Sequence, residues 1–107
     1  MEVTIGGEGN SKSSIREALQ DKPSFDTNTK NILHCNEFRT FWIQWLTNAI
    51  AVGRGPVIGE QKFMNIDTIQ ASKINSIGLA SDKGHAAVWK VNENNGNGFS
   101  MYLKFVV

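Results

Sequence analysis

The sequence predicts an all-β protein: a single antiparallel, jelly-roll-like β-sandwich with little helix. Three observations point there. Two dense apolar runs, Phe38–Trp45 and Asn48–Val52, face each other across a two-residue break and read as a β-hairpin. Short apolar runs recur between turns rich in Gly, Pro, Asn and Asp, a spacing that suits a sandwich or barrel. The tail sets Met101, Leu103, Phe105 and Val107 against Ser100, Tyr102, Lys104 and Val106. That period of two is the mark of a half-buried strand.

Taken in order, Val3–Ile5 is a candidate strand and Gly6–Asn10 a glycine-rich turn, since Gly reaches backbone angles closed to other residues. Ser14–Asp21 is the one helix-like piece: Ser13 or Ser14 suits an N-cap, and Glu17, Ala18, Leu19 and Gln20 favour helix. Asp21-Lys22-Pro23-Ser24 is a second turn, and Asn36-Glu37 punctuates before the hairpin. In the hairpin, Phe41, Ile43 and Trp45 share one face with Ile50 and Val52, which predicts the core side. Phe38, Thr40, Trp42 and Gln44 take the other face. Gly53-Arg54-Gly55-Pro56 ends the second strand, and Ser81-Asp82-Lys83-Gly84 links two later strands. Asn92–Gly98 holds Asn-Gly steps, strong turn formers, before the last strand.

Composition narrows the function. The 107 residues suffice for one domain, 1–107, with one modest core. Eleven basic and ten acidic residues leave a net charge of +1, with no basic stripe interleaved with aromatics, so no nucleic-acid partner is expected. No run of about 18 apolar residues exists, so no membrane span is expected. The start, Met1–Ile5, lacks the basic end and apolar stretch of a signal peptide. Cys35 is the single cysteine, which rules out an intrachain disulfide and a CxxC-type metal site; no metal is expected. His34 and Cys35 are adjacent, and strand neighbours point to opposite faces, which argues against a Cys-His nucleophile.

A series of blocks runs through the chain: Ile5–Arg16 with its paired glycines, Phe38–Trp45, Ala51–Gly55, Ile77–Ser81 and Ala87–Lys90. In this order and spacing the chain resembles the farnesoic acid O-methyltransferase-like domain family over roughly positions 3 to 91. The resemblance implies a sandwich-like all-β module of animal proteins, often beside extracellular domains, and so suggests an extracellular location. It also implies a strand, in place of a helix, around Ser13–Arg16. Two departures stand out. Glu8 occupies a position where the family tends to have Trp, and Ser81–Gly84 lacks the family's Trp before its last Gly. The chain also begins where the family has one or two earlier strands. A fragment, a short variant or a strand-exchanged oligomer is therefore expected, and a homo-oligomer is the preferred form, since an open sheet edge invites pairing.

Two chemical motifs are weighed and set aside. Gly6–Ser13 nearly fits the phosphate-binding loop GxxxxGK[ST], but Ser11 replaces the Gly before Lys12. No apolar strand ending in Asp and no alternation of strands and helices supports it. S-adenosylmethionine enzymes mostly use a doubly wound α/β sheet, which needs more helix than this chain offers. No cofactor is expected.

What remains is a non-enzymatic, lectin-like recognition module for a glycan or small polar ligand. A ring stacks on a pyranose face while polar groups match its hydroxyls. Trp42 is the candidate stacking ring; Asn10, Arg16, Arg54, Asp82 and His85, in or near turns, are the candidate polar contacts. The bland alternatives are that Trp42 and Trp89 serve a core and that the arginines pair with Glu. Two other functions stay open: a methyltransferase-associated or hormone-processing domain, as the family name implies, and a structural protein-interaction domain.

Overall fold

The computed structural model describes residues 1–17, 21–69, 71, 86–93 and 98–106. Eight strands account for most of them: β1 (Glu2–Gly6), β2 (Lys12–Arg16), β3 (Phe25–Asn28), β4 (Arg39–Trp45), β5 (Ala49–Arg54), β6 (Lys62–Asp67), β7 (Ala86–Glu93) and β8 (Gly98–Val106). They form two antiparallel sheets, β1-β2-β3 and β6-β5-β4-β8-β7. The all-β expectation holds, and Ser13–Arg16 is strand and not helix. Residues 18–20, where the helix-like composition continues, lie outside the described residues.

The hairpin register follows the period of the sequence. Ile43 opposes Val52 and Trp45 opposes Ile50, so these side chains share the inner face. β6 extends that face, with Met64 opposite Val52 and Ile66 opposite Ile50. Across the gap, β2 offers Ile15, which is 0% exposed. Ile15, Ile50, Val52, Met64, Ile66 and Ala71 make the core, with Val3, Phe25 and Trp45 packed at its margin. Beside it, Ile32, Leu33 and Phe41 form a second buried cluster. Burying each such side chain contributes roughly 1.5–3 kcal/mol, and this is what holds the two sheets face to face.

A β-bulge shapes β6. Val52 pairs with Met64, but Gly53 pairs with Lys62, so Phe63 is the extra residue. Two consecutive side chains, Phe63 and Met64, therefore both reach the core, which strict alternation forbids. Phe63 meets Phe41 edge-on, with ring centroids 6.4 Å apart.

Polar ties lock the small sheet and join it to the large one. The buried Ser13 and Thr29 hydroxyls share a 2.7 Å hydrogen bond. The Glu17 carboxylate accepts from Ser24 Oγ and from Thr68 Oγ1, each at 3.1 Å, tying the β2–β3 connection to the end of β6. Such ties leave few buried hydroxyls without a partner, where each would cost about 1–3 kcal/mol.

Candidate functional site

Gly6–Lys12 has the shape of a hairpin turn, not of a phosphate loop. It joins two antiparallel strands, and Gly7 bridges Lys12 at its base. Gly7–Asn10 make one short helical turn, but Glu8, Gly9 and Asn10 are left-handed, with φ of 50°, 70° and 66°. The Ser11 N–H closes it on the Gly7 carbonyl at 3.0 Å. Lys12 lies 3.6 Å from the Glu8 carboxylate on the surface. Gly6 is required here: its φ is +73°, and a Cβ would come within 2.7 Å of Leu33 Cδ1.

Asn10 is committed to that turn's packing. Its Nδ2 donates to the Leu33 carbonyl at 2.8 Å, and its Oδ1 accepts from the Leu33 N–H at 3.0 Å. One side-chain amide thus mimics a strand neighbour and pins the 31–33 segment to the hairpin. Arg16, on β2, pairs with Glu2 directly across on β1, at 3.1 Å.

The expectation that Trp42 is an exposed stacking ring is corrected: Trp42 is 0% exposed. Period two does place it on the outer face of β4, opposite Gly53. There the β5–β6 loop returns over the indole, whose Nε1–H donates to the Glu60 carbonyl at 2.8 Å. Gly53 makes this possible, because a Cβ there would overlap the indole's Nε1, Cε2 and Cζ2. Asp82 and His85 lie outside the described residues. The structure therefore brings none of the described candidates, Asn10, Arg16, Trp42 and Arg54, into one cluster.

Arg54 stands differently. It is exposed at the end of β5, with its guanidinium 5.3 Å from the Phe63 ring centroid. The register gathers charged neighbours at this same sheet end, because β4 starts, β5 stops and β6 starts there. Arg39 is paired with Glu37 at 2.7 Å. Gln61 accepts from the Arg54 N–H through its carbonyl at 3.1 Å, and Lys62 follows, exposed. An exposed cation on a ring gains only about 0.5–1 kcal/mol, so the Arg54 donors stay available to solvent or to a ligand. Sequence reasoning missed Glu37, Arg39, Gln61 and Lys62. Arginines bracketing the open end of the hairpin were the available signal.

Other chemistry is sparse. His34 Nδ1 accepts from the Asn36 N–H at 3.0 Å, an exposed local turn, and Cys35 beside it is a free, half-buried thiol. Among the described residues no group of three His, Cys, Asp or Glu side chains lies close enough to share a metal ion. Nor is any described helix long and apolar enough to cross a membrane.

Comparison with known proteins adds two findings. The model of the family described as farnesoic acid O-methyl transferase matches residues 1–95. A protein of Haliotis asinina, described as Uncharacterized protein 5, is 35% identical over 81 residues, which cover 70% of this chain and 46% of that protein. The chain thus spans about half the length of the curated relative it matches. No solved structure matches it.

Proposed function

The chain belongs to the farnesoic acid O-methyl transferase family, and on that premise we propose that it is a non-enzymatic, lectin-like recognition module that binds a glycan or small polar ligand as a homo-oligomer. The observation that carries this reading is the sheet end around Arg54. An exposed planar cation lies 5.3 Å from the Phe63 ring centroid, and Glu37, Arg39, Gln61 and Lys62 belong to the same end of the sheet. These residue types supply both donors and acceptors, as sugar hydroxyls require. Such a shallow site buries little surface, so single-site affinity is low. Several linked sites in one oligomer raise avidity without new contacts.

A second reading is methyl transfer, favoured by the family's description alone. Calorimetry with S-adenosylmethionine tests it: heat of binding supports it, and silence opposes it. The first reading is tested by a glycan array with competition by free sugar, then titration of variants. Arg54→Ala should weaken binding by roughly tenfold, as the loss of a charged hydrogen bond implies. Arg16→Ala, already paired with Glu2, should leave it nearly unchanged. Asp82→Ala and His85→Ala belong in the same series. No binding to any glycan, or methylation of farnesoic acid by the purified chain, overturns the reading.

A further inference from the structure

The two ends of the sandwich differ in charge. In the small sheet, β2 starts and β3 stops where Lys12 pairs with Asn28. In the large sheet, β5 stops at Arg54 and β6 starts at Lys62. These termini share one end of the molecule. Leu33, held by Asn10 of the hairpin turn, packs in one cluster with Phe41 and Phe63, and Phe63 lies under the Arg54 guanidinium. Two cations of this end are already neutralised, Lys12 by Glu8 and Arg39 by Glu37. Lys30, Arg54 and Lys62 are exposed and have no ion-pair partner among the described residues. Against these three cations stands one exposed carboxylate, Glu60 on the β5–β6 loop. The other end has the reverse balance. Arg16 is taken by Glu2, while Glu17, Asp21 and Asp67 outnumber Lys22. The Thr68–Glu17 hydrogen bond joins the two sheets there.

Arg54 is the one of the three unpaired cations that the fold positions. Its guanidinium lies 5.3 Å from the Phe63 ring centroid. Phe63 in turn meets Phe41 edge-on, and Phe41 is buried. A cation seated on a ring anchored in the core loses less freedom on binding than a free surface side chain. The ring takes the face of the guanidinium and leaves its planar fork of N–H donors for a second partner. That fork matches two oxygens of one carboxylate or sulfate group, and such bonds are the strong, charge-assisted kind. Lys30 and Lys62 are point charges on the neighbouring sheet and strand, and they add a field that draws anions to this end. We propose that this end of the sandwich recognises an acidic glycan, with Arg54 pairing to a carboxylate or sulfate group and Lys30 and Lys62 supplying the attractive field. The inference rests on the glycan-binding reading and names the class of sugar.

Titration of the full chain with hyaluronan oligosaccharides, dextran sulfate and neutral dextran tests it, beside the glycan array. The expected result is at least roughly tenfold tighter binding of an acidic sugar than of dextran at low salt, as a charge-assisted hydrogen bond implies. That advantage shrinks as salt is raised. Hyaluronan alone assigns the site to a carboxylate, and dextran sulfate alone to a sulfate. Arg54→Gln should abolish most of the preference, and Arg54→Lys, which keeps the charge and loses the fork, should lose part of it. Arg16→Gln removes the same charge from the other end and should change nothing. A neutral glycan bound more tightly than every acidic one overturns the inference and leaves the glycan reading standing. An array on which no sugar binds overturns both. Equal binding of polyglutamate, a polyanion without sugar, or an equal loss in Arg16→Gln also overturns the inference, since overall charge then explains the result.

Discussion

Gly53→Ala should destabilise the protein even though alanine fits the local backbone. Gly53 has no positive φ, so the substitution brings no backbone strain. The effect is steric: the new Cβ overlaps Trp42 Nε1, Cε2 and Cζ2 in the neighbouring strand. Trp42 is fully buried, so the indole has little room to retreat. Overpacking of this kind costs about 1–3 kcal/mol. Tilting the ring also strains its 2.8 Å bond to the Glu60 carbonyl, worth about 1 kcal/mol. Against this, replacing Gly by Ala stiffens the unfolded chain and returns about 0.4–1 kcal/mol. The net loss is roughly 2 kcal/mol, a fall in Tm on the order of 10 °C for a domain of this size. Urea unfolding followed by tryptophan fluorescence and circular dichroism measures it, with an unchanged m-value expected. The decisive comparison is the double variant. In a Trp42→Leu background the overlap is gone, so Gly53→Ala should be neutral or slightly stabilising, a coupling of about 2 kcal/mol. Additive effects, or a stabilising Gly53→Ala in the parent chain, would refute the reasoning.

Other perturbations separate the remaining contacts. Trp42→Ala should cost about 3–5 kcal/mol, the range for a buried aromatic, while half-buried Trp45→Ala costs less; the order of their chemical-denaturation midpoints checks this. Asn10→Ala leaves the Leu33 N–H and carbonyl without their partners and should cost about 2 kcal/mol, with faster hydrogen exchange at the Leu33 amide. Glu8→Gly should stabilise by roughly 0.5–1 kcal/mol, because it relieves a left-handed residue at the expense of a weak surface ion pair; a lower melting temperature would count against it.

The hairpin was legible because its period survives intact: Ile43 and Trp45 of β4 find Val52 and Ile50 of β5. β6 was not anticipated. Its bulge puts Phe63 and Met64 side by side on the core, so alternation is broken where it would have been read. β3 escaped for another reason, since Phe25 is its only apolar residue and backbone pairing with β2 carries it. Trp42 was placed on the correct face, yet its burial depends on a loop that folds back from Glu60, eighteen residues on. The candidate site suffered likewise. Polar residues near turns are equally suited to ligands and to local partners, and only coordinates reveal that Asn10 is spent on Leu33, twenty-three residues away.

The extra residue in β6 also limits how the protein can aggregate. β6 and β7 are the two rims of the large sheet. A rim strand with evenly spaced amides and carbonyls is a template on which further chains can stack without end. At β6 that spacing is interrupted beside Gly53, and the strand is twisted away from flatness. Lateral growth therefore terminates at this rim. Within the large sheet, recruitment through backbone pairing is left to the β7 rim, and two chains joined there present a bulged rim at each end. Edge recruitment through the large sheet then gives a closed pair, not a fibre.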